Sequence, residues 1–301
     1  MGSADIPFHK EMQFEYGSAQ QIAPLVRRIV AENPSPFTHY GTNTYIIGSG
    51  EVVVIDPGPM LEQHVDNIKN AIEGETVTHI LVTHTHLDHS PASDWLKQLV
   101  DAPIYGANLN PLDVGQAVEA HQEDFVADEE ITDGDTICGP GWTLEAVYTP
   151  GHMSNHHCFA LKEHKLLFSG DHVMGWNTTI VSPPDGNMRE YMDSLRICIE
   201  RSESLYLPGH GPEIVDSKPF VRAYLNHRVI RESQIAKLLS EGVDTIPDLV
   251  RRMYTHLPER MHAAAARSVL AHMQHMVDTD RAICDGPIAS DSIFAPRTEK
   301  I

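Results

Sequence analysis

Cysteine is scarce in this chain. Cys138, Cys158, Cys198 and Cys284 are scattered through 301 residues with no close pair, so neither a disulfide framework nor a Cys-rich structural zinc site is indicated. They read as small buried hydrophobes in a reducing compartment. Basic residues are also few. The 22 Lys+Arg stand against 42 Asp+Glu, a formal net charge of −20, which is the wrong balance for a surface built to hold a polyanion. No run of about 18 apolar residues occurs, which excludes a membrane-spanning helix. Residues 1–16 carry charge and proline without the apolar stretch of a signal peptide. With 41% hydrophobic residues, the chain is expected to be globular and cytoplasmic, with a sizeable core.

Histidine, by contrast, is abundant, with 19 residues, and it is concentrated. Thr83-His84-Thr85-His86-Leu87-Asp88-His89 follows the strand-like run Ile80-Leu81-Val82. Three imidazoles and a carboxylate on one turn match the nitrogen and oxygen donors that zinc takes at about 2.0–2.2 Å. Three later segments repeat the pattern of an apolar run, a glycine and then a His or Asp. They are Thr149-Pro150-Gly151-His152, Leu167-Phe168-Ser169-Gly170-Asp171-His172 and Leu207-Pro208-Gly209-His210-Gly211. Glycine permits a tight turn or a close approach where a Cβ would clash. Ligands carried on loops at strand ends sit on a rigid scaffold and leave coordination positions open. No Ser or Cys nucleophile is evident.

Along the chain, runs at 52–55 and 77–82 read as strands, and 60–72 and 91–100 as helices. Trp142, Leu144, Ala146 and Tyr148 alternate as in a half-buried strand. The acidic stretch 117–130 reads as a solvated face. Beyond Asp216 the character changes. Helical patterns cover 219–240, 247–254 and 260–277, and Gly286-Pro287 lies between short apolar stretches as in a hairpin, which together suggest a winged-helix-like appendage. The pair His272 and His275 reads as a solvated helix face. Alternating strands and helices imply α/β layering.

With these motifs in this order, the chain resembles the metallo-β-lactamase-fold hydrolases. Gly41-Thr42-Asn43-Thr44-Tyr45, Tyr191-Met192-Asp193-Ser194-Leu195 and the helix around 224–235 are similar to the β-lactamase-like protein 2 branch. The resemblance implies a four-layer αββα sandwich over residues 1–216, a connecting helix over 217–241 and a winged-helix-like domain over 242–301. It implies two zinc ions, with iron or manganese as alternatives. His84, His86 and His152 would hold one, Asp88, His89 and His210 the other, and Asp171 would bridge them. Two cations sharing a solvent molecule would supply a hydroxide at neutral pH. Asp88 and His156 are the candidate catalytic residues, with His156 expected to orient a ligand or donate to substrate. Asp56 resembles the aspartate that supports the first loop. Trp176 and Asn177, just past Asp171, are candidates for substrate contact, and His172 is ambiguous.

The expected activity is hydrolysis of a small-molecule ester, thioester, lactone or amide. Asp171 argues against a true zinc β-lactamase, and Met174 stands where lactonases of this fold place a tyrosine. His86 argues against a flavodiiron site, and the glutathione-binding basic residues of glyoxalase II-like thioesterases cannot be located in this sequence. The β-lactamase-like protein 2 branch cleaves single-stranded RNA, so an endoribonuclease is the alternative, guided by Arg222, Arg228, Arg231, Arg251 and Arg252. Residues 1–217 carry 10 Lys+Arg against 32 Asp+Glu, while 218–301 carry 12 against 10. The acidic catalytic part therefore places RNA second. A mononuclear iron oxygenase of the same fold is a minor alternative. A non-catalytic winged-helix protein is disfavoured, because structural zinc sites are closed and Cys-rich. The appendage could also serve a homodimer, and no membrane partner is expected.

Overall fold

The computed structural model describes residues 6–109 and 121–297. Its strands and helices form four layers. The first sheet has seven strands in sequential order: β1 (Gln20–Ala23), β2 (Val26–Val30), β3 (Asn43–Ser49), β4 (Glu51–Ile55), β5 (Thr76–Leu81), β6 (Ile104–Gly106) and β7 (Glu129–Glu130). The second sheet runs in the order β13 (Ile214–Val215), β12 (Leu205–Pro208), β11 (Leu166–Gly170), β10 (His157–Leu161), β9 (Trp142–Tyr148) and β8 (Thr136–Gly139).

Period-two alternation builds the layers, because neighbouring side chains on a strand leave opposite faces of the sheet. Tyr45, Ile47, Val53 and Ile55 pack between the sheets with Leu144, Phe159, Phe168 and Leu207. Their neighbours Ile46, Val52 and Val54 turn outward to meet Ile68 and Leu96 of α1 (Glu62–Ala71) and α2 (Ala92–Val100). On the far side Cys158, Ala160, Leu167 and Tyr206 turn to Tyr191 and Leu195 of α3 (Met188–Glu200) and to Phe220 and Tyr224 of α4 (Ser217–Ser240). Strands covered on both faces carry near-continuous apolar runs, as β3, β4, β10 and β11 do.

Helix α4 serves two cores. Phe220, Val221 and Tyr224 belong to the sandwich, whereas Ile235 and Leu239 pack with α5 (Ile246–Met253), α6 (His262–Asp278) and the hairpin of β14 (Ala282–Cys284) and β15 (Phe294–Pro296). Asn187 caps α3 by accepting from the N–H groups of Arg189 and Glu190, and Thr245 caps α5 through the Asp248 N–H. No described helix is long and apolar enough to cross a membrane.

Several expectations need correction. His272 and His275 do not form a solvated face. His272 is buried, and both Nδ1 atoms face Glu232 Oε1, at 3.3 and 2.7 Å. Arg281 donates to the other oxygen of that carboxylate at 2.6 Å. The partner lies forty residues earlier, on α4, and spacing on one helix gives no sign of it. Cys158 and Cys198 are buried, but Cys138 is exposed and Cys284 half-buried. Tyr148 breaks the inward alternation of β9 and is exposed. The first residues of the acidic stretch 117–130 lie outside the described residues. Within the rest Phe125 is buried, so the stretch is not uniformly solvated.

Candidate metal centre

Both sheets deliver their loops to one edge. Strands β4 and β5 are parallel, as are β11 and β12, so their C-terminal ends point the same way in each pair. The edge is stitched across the sandwich. The Asn43 N–H donates to Gly209 O at 2.8 Å, and the Asn43 side chain donates to Pro208 O and Gly211 O, each at 2.9 Å.

The loop after β5 carries His84, His86, Asp88 and His89. The turn after β9 carries His152, the end of β11 leads to Asp171, and the end of β12 leads to His210. Two donor groups result, His84–His86–His152–Asp171 and Asp88–His89–His210. All seven expected ligand residues are brought together. In the first, His86 Nδ1 stands 3.0 Å from His84 Nε2 and 3.1 Å from His152 Nε2. In the second, His210 Nε2 stands 3.2 Å from both His89 Nε2 and Asp88 Oδ2. Asp171 reaches both, with Oδ2 3.8 Å from His152 Nε2 and 3.4 Å from His210 Nε2.

The fit to cations rests on three observations. Nitrogens facing each other at these distances suit a shared ion, since donors about 2.1 Å from a tetrahedral cation stand roughly 3.4 Å apart. Asp171 Oδ1 is buried without a hydrogen-bond partner in the protein, which a cation would correct. Finally, the far ring nitrogens are engaged elsewhere. Nδ1 of His84 bonds Thr83 Oγ1 at 2.9 Å, that of His89 bonds Asp56 Oδ2 at 2.9 Å, that of His152 bonds Ile180 O at 2.7 Å, and that of His210 bonds Gly41 O at 3.2 Å. With the proton held at Nδ1, each Nε2 lone pair faces the site.

Electrostatics agree with that need for positive charge. Burial opposes charge on His89 and His210, yet Asp88 and Asp171 outweigh it, lifting His89 well above the ordinary range and His210 to about 9. Burial would raise the Asp88 and Asp171 carboxyls, but His89 and His210 hold both below their usual range. His84 is pushed well down, by burial and then by its neighbours His89, His86 and His152.

Two glycines of the motifs are explained by contact. A Cβ on Gly209 would lie 2.6 Å from His89 Cε1 and 2.7 Å from Asp171 Oδ1. Gly170 has φ +48°, and a Cβ there would lie 2.6 Å from His156 Nε2.

Asp56 is a support. Its Oδ1 accepts the Thr83 N–H and its Oδ2 accepts the Thr83 hydroxyl, both at 2.8 Å, besides the bond to His89. His156 is wholly buried. It accepts the Asp171 N–H at Nε2, 3.1 Å, and bonds Thr149 Oγ1 through Nδ1, 2.9 Å. This placement, behind Asp171 and away from solvent, suits orienting a ligand better than donating to substrate. His172 is buried too, with Tyr191 Oη donating to its carbonyl at 2.8 Å.

Above the donors opens a cavity of about 490 Å³, with His86, Asp88, His152, Asp171 and His210 on its floor. Trp176 and Asn177 do not line it. Trp176 stacks on His39 at 4.7 Å, and Asn177 is exposed. The wall is made by Phe37, Leu87, Met174 and Ile180, with polar Asn33, Ser35 and Thr38 and with Arg267, the one Lys or Arg among the described residues that line the cavity. Leu87 is visible in the sequence as an apolar residue inside the metal loop. Arg267 gives no such signal, because it comes from α6 of the other domain.

A four-layer sandwich whose strand ends converge on clustered His and Asp side chains defines a metal-dependent hydrolase. The chain belongs to the metallo-beta-lactamase superfamily, whose model matches residues 38–210, and a beta-lactamase associated winged helix domain matches 245–287. A beta-lactamase-like protein 2 homolog of Caenorhabditis elegans is 31% identical over 259 residues, 83% of each chain. An atrochrysone carboxyl ACP thioesterase of Aspergillus chevalieri is 30% identical over 275 residues, 88% of this chain and 84% of that one. Among solved structures, a beta-lactamase domain protein from Burkholderia ambifaria matches with TM-score 0.79 over 95% of each chain at 18% identity. A metallo-beta-lactamase family protein from Thermus thermophilus matches with TM-score 0.74, over 91% of this chain and 99% of its own, at 20% identity. These two show a shared fold.

Proposed function

We propose that this hydrolase cleaves a small-molecule acyl thioester or activated ester with two zinc ions held by the seven ligands. The observation that carries the reading is the cavity, which Phe37, Leu87, Met174 and Ile180 line together with His86, Asp88, His152, Asp171 and His210, an apolar wall beside the donors that suits an acyl chain. When bound, the two cations supply an activated water and an electrophile for the substrate's carbonyl oxygen.

The protein's own groups do the rest. Asp88, the more open of the site's two carboxylates with 27% of its side chain exposed, faces the cavity and takes the proton of the attacking water. His156 and Thr179 fix Asp171, the first through its N–H and the second through a 2.8 Å bond to its carbonyl. Among the described residues that line the cavity, every His and Asp is one of the seven ligands, so no separate general acid stands beside them. A leaving group that departs without needing one is therefore favoured. A thiolate, with a pKa of about 8.5, leaves this way far more readily than an amide nitrogen. The thioesterase name of the Aspergillus chevalieri relative points in the same direction.

Of the basic strip considered for RNA, Arg228 is buried and bonds Thr179 O, and Arg251 and Arg252 stand at the surface beside the carboxylates of Asp248 and Glu241.

The test is metal content together with turnover of thioester, lactone, β-lactam and single-stranded RNA substrates, before and after chelation. Two zinc per chain, chelator-sensitive thioester hydrolysis and loss of one metal with turnover in Asp88→Ala or His210→Ala are expected. Hydrolysis of RNA alone, or full activity in either variant, would overturn the assignment.

A further inference from the structure

Helix α4 joins the two domains, and its buried face carries charge. Phe220, Tyr224, Arg228 and Glu232 recur every four residues and are all buried, as positions stacked on one side of a helix can be. The Glu232 carboxylate is met by His272, His275 and Arg281. Arg228 has no such counterpart. Only 3% of it is exposed, and among the described residues no Asp or Glu forms an ion pair with it. Its guanidinium instead donates through Nη2 to Thr179 O, lies 5.0 Å from the centroid of the Tyr191 ring, and leaves Nε without a hydrogen-bond partner. Arginine stays charged at every working pH, and taking an unpaired charge out of water is unfavourable. An apolar side chain of similar length would fill the same space without that cost, so the charge serves something other than packing.

What it serves follows from the segment it grips. The Thr179 hydroxyl donates to Asp171 O at 2.8 Å, and Ile180 O lies 2.7 Å from His152 Nδ1. Residues 179 and 180 therefore back one ligand from each side of the first donor group. Ile180 also lines the cavity, as does Met174 at the start of the same segment. Tyr224, one turn before Arg228, holds that start. Its hydroxyl accepts the Met174 N–H at 3.2 Å and stands against the carbonyls of Met174 and Asn177. Resting on the assignment of the seven ligands, and independent of which acyl group is cleaved, we propose that Arg228 is a positioning residue of the metal centre, supplied by the helix that joins the domains. It fixes residues 179–180, and through them the His152 ring and the Asp171 main chain, in the arrangement that binds metal. A charge-assisted bond to a carbonyl is shorter and stronger than a neutral one, which suits a role in which the exact place of a loop matters.

The experiment measures zinc affinity by chelator competition, the melting temperature of the metal-free protein, and thioester turnover, in the full chain. Wild type is compared with Arg228→Met, Arg228→Lys and Glu232→Gln. In Arg228→Met zinc affinity should fall about 10–100-fold, and kcat with it. The metal-free melting temperature should move by only a few degrees, because relief of the buried charge counters the lost bond to Thr179. Arg228→Lys keeps the charge and should recover part of the zinc affinity. Glu232→Gln disturbs the next turn of the same helix, away from residues 179–180. It should lower the melting temperature and leave zinc affinity at the wild-type level. Thr179→Val should weaken zinc less in the Arg228→Met background than alone, since both act through one segment. Wild-type zinc affinity in Arg228→Met would overturn the proposal. So would an equal loss in Glu232→Gln, which would make domain packing the cause, or full additivity with Thr179→Val. Should Arg228→Met not fold, Arg228→Lys decides, with zinc affinity equal to wild type counting against the role. Zinc binding without thioester turnover in wild type would remove the thioesterase reading and leave the test of Arg228 intact. A wild type that binds no zinc would remove the metal centre and the proposal with it.

Discussion

Asp56 holds His89 from behind, with Oδ2 of the carboxylate 2.9 Å from Nδ1 of the ring. The aspartate sits at φ +49°, directly after β4, a conformation Asp tolerates better than most residues. From there it also receives two bonds from Thr83 and so fixes both ends of the metal loop. In Asp56→Asn the side-chain shape is retained but the anionic acceptor is lost. Affinity for the second metal should fall about 10–100-fold, while the first metal, held by His84, His86 and His152, stays bound. Chelator competition resolves the two steps. Unchanged second-step affinity would remove Asp56 from the account. Asp56→Ala should also lower stability by about 1–3 kcal/mol, because the Thr83 N–H loses its buried acceptor.

Gly209→Ala tests why glycine precedes His210. The added methyl would press on His89 and Asp171, one ligand of the second group and the carboxylate shared by both. The φ of Gly209 is not in the left-handed region, so the cost is contact at the site and not backbone strain. Bound metal should drop, and kcat should fall with it, while the unfolding transition of the metal-free protein moves by only a few degrees. An intact metal content at full activity would show that the loop can move aside.

The clustered His and Asp residues were legible because they follow apolar strands and tight turns, a local signal that one stretch of chain contains. The layers were legible for the same reason, as in the alternation of Val52 to Ile55. What escaped depends on distant partners. His272 and His275 look like surface residues until Glu232 is brought beside them by the packing of α4 on α6. Trp176 follows Asp171 in sequence, yet its ring stacks on His39, and Met174 and Ile180 line the cavity instead. Arg267 reaches the cavity only through interdomain packing.

The Glu232 cluster makes the C-terminal packing acid-sensitive. Burial would raise the Glu232 carboxyl, but bonds from His272, His275 and Arg281 hold it well below the ordinary carboxylate range. A depressed carboxyl contributes stability that is fully present above its unfolded value of about 4.5 and is lost as pH falls below it. His272 is pushed down, first by burial, so its contribution begins to fall below its ordinary value of about 6.5. Both effects carry the same sign. The melting temperature should therefore decline between pH 7 and pH 4, and Glu232→Gln should be less stable at pH 7 by about 2–3 kcal/mol. That lies at or below the low end of the range for breaking a buried pair, because Arg281 is 42% exposed. The variant's profile should also be flatter with pH. A melting profile parallel to wild type would show that the cluster does not set the acid response.

His156 separates two roles that produce similar losses of activity. Its ring is buried, its pKa is pushed well down by burial and by His172 and His152, and both nitrogens are bonded within the protein. It cannot deliver a proton to a substrate it does not touch, whereas it does hold the Asp171 N–H. His156→Ala should cut kcat about 10–100-fold with a matching fall in metal affinity, because the shared carboxylate loses its anchor. A general acid or base would leave a different mark, since its loss removes one limb of the dependence of kcat/KM on pH. A profile of unchanged shape with weaker metal binding supports the positioning role. Disappearance of a limb at full metal occupancy would return His156 to the reaction itself.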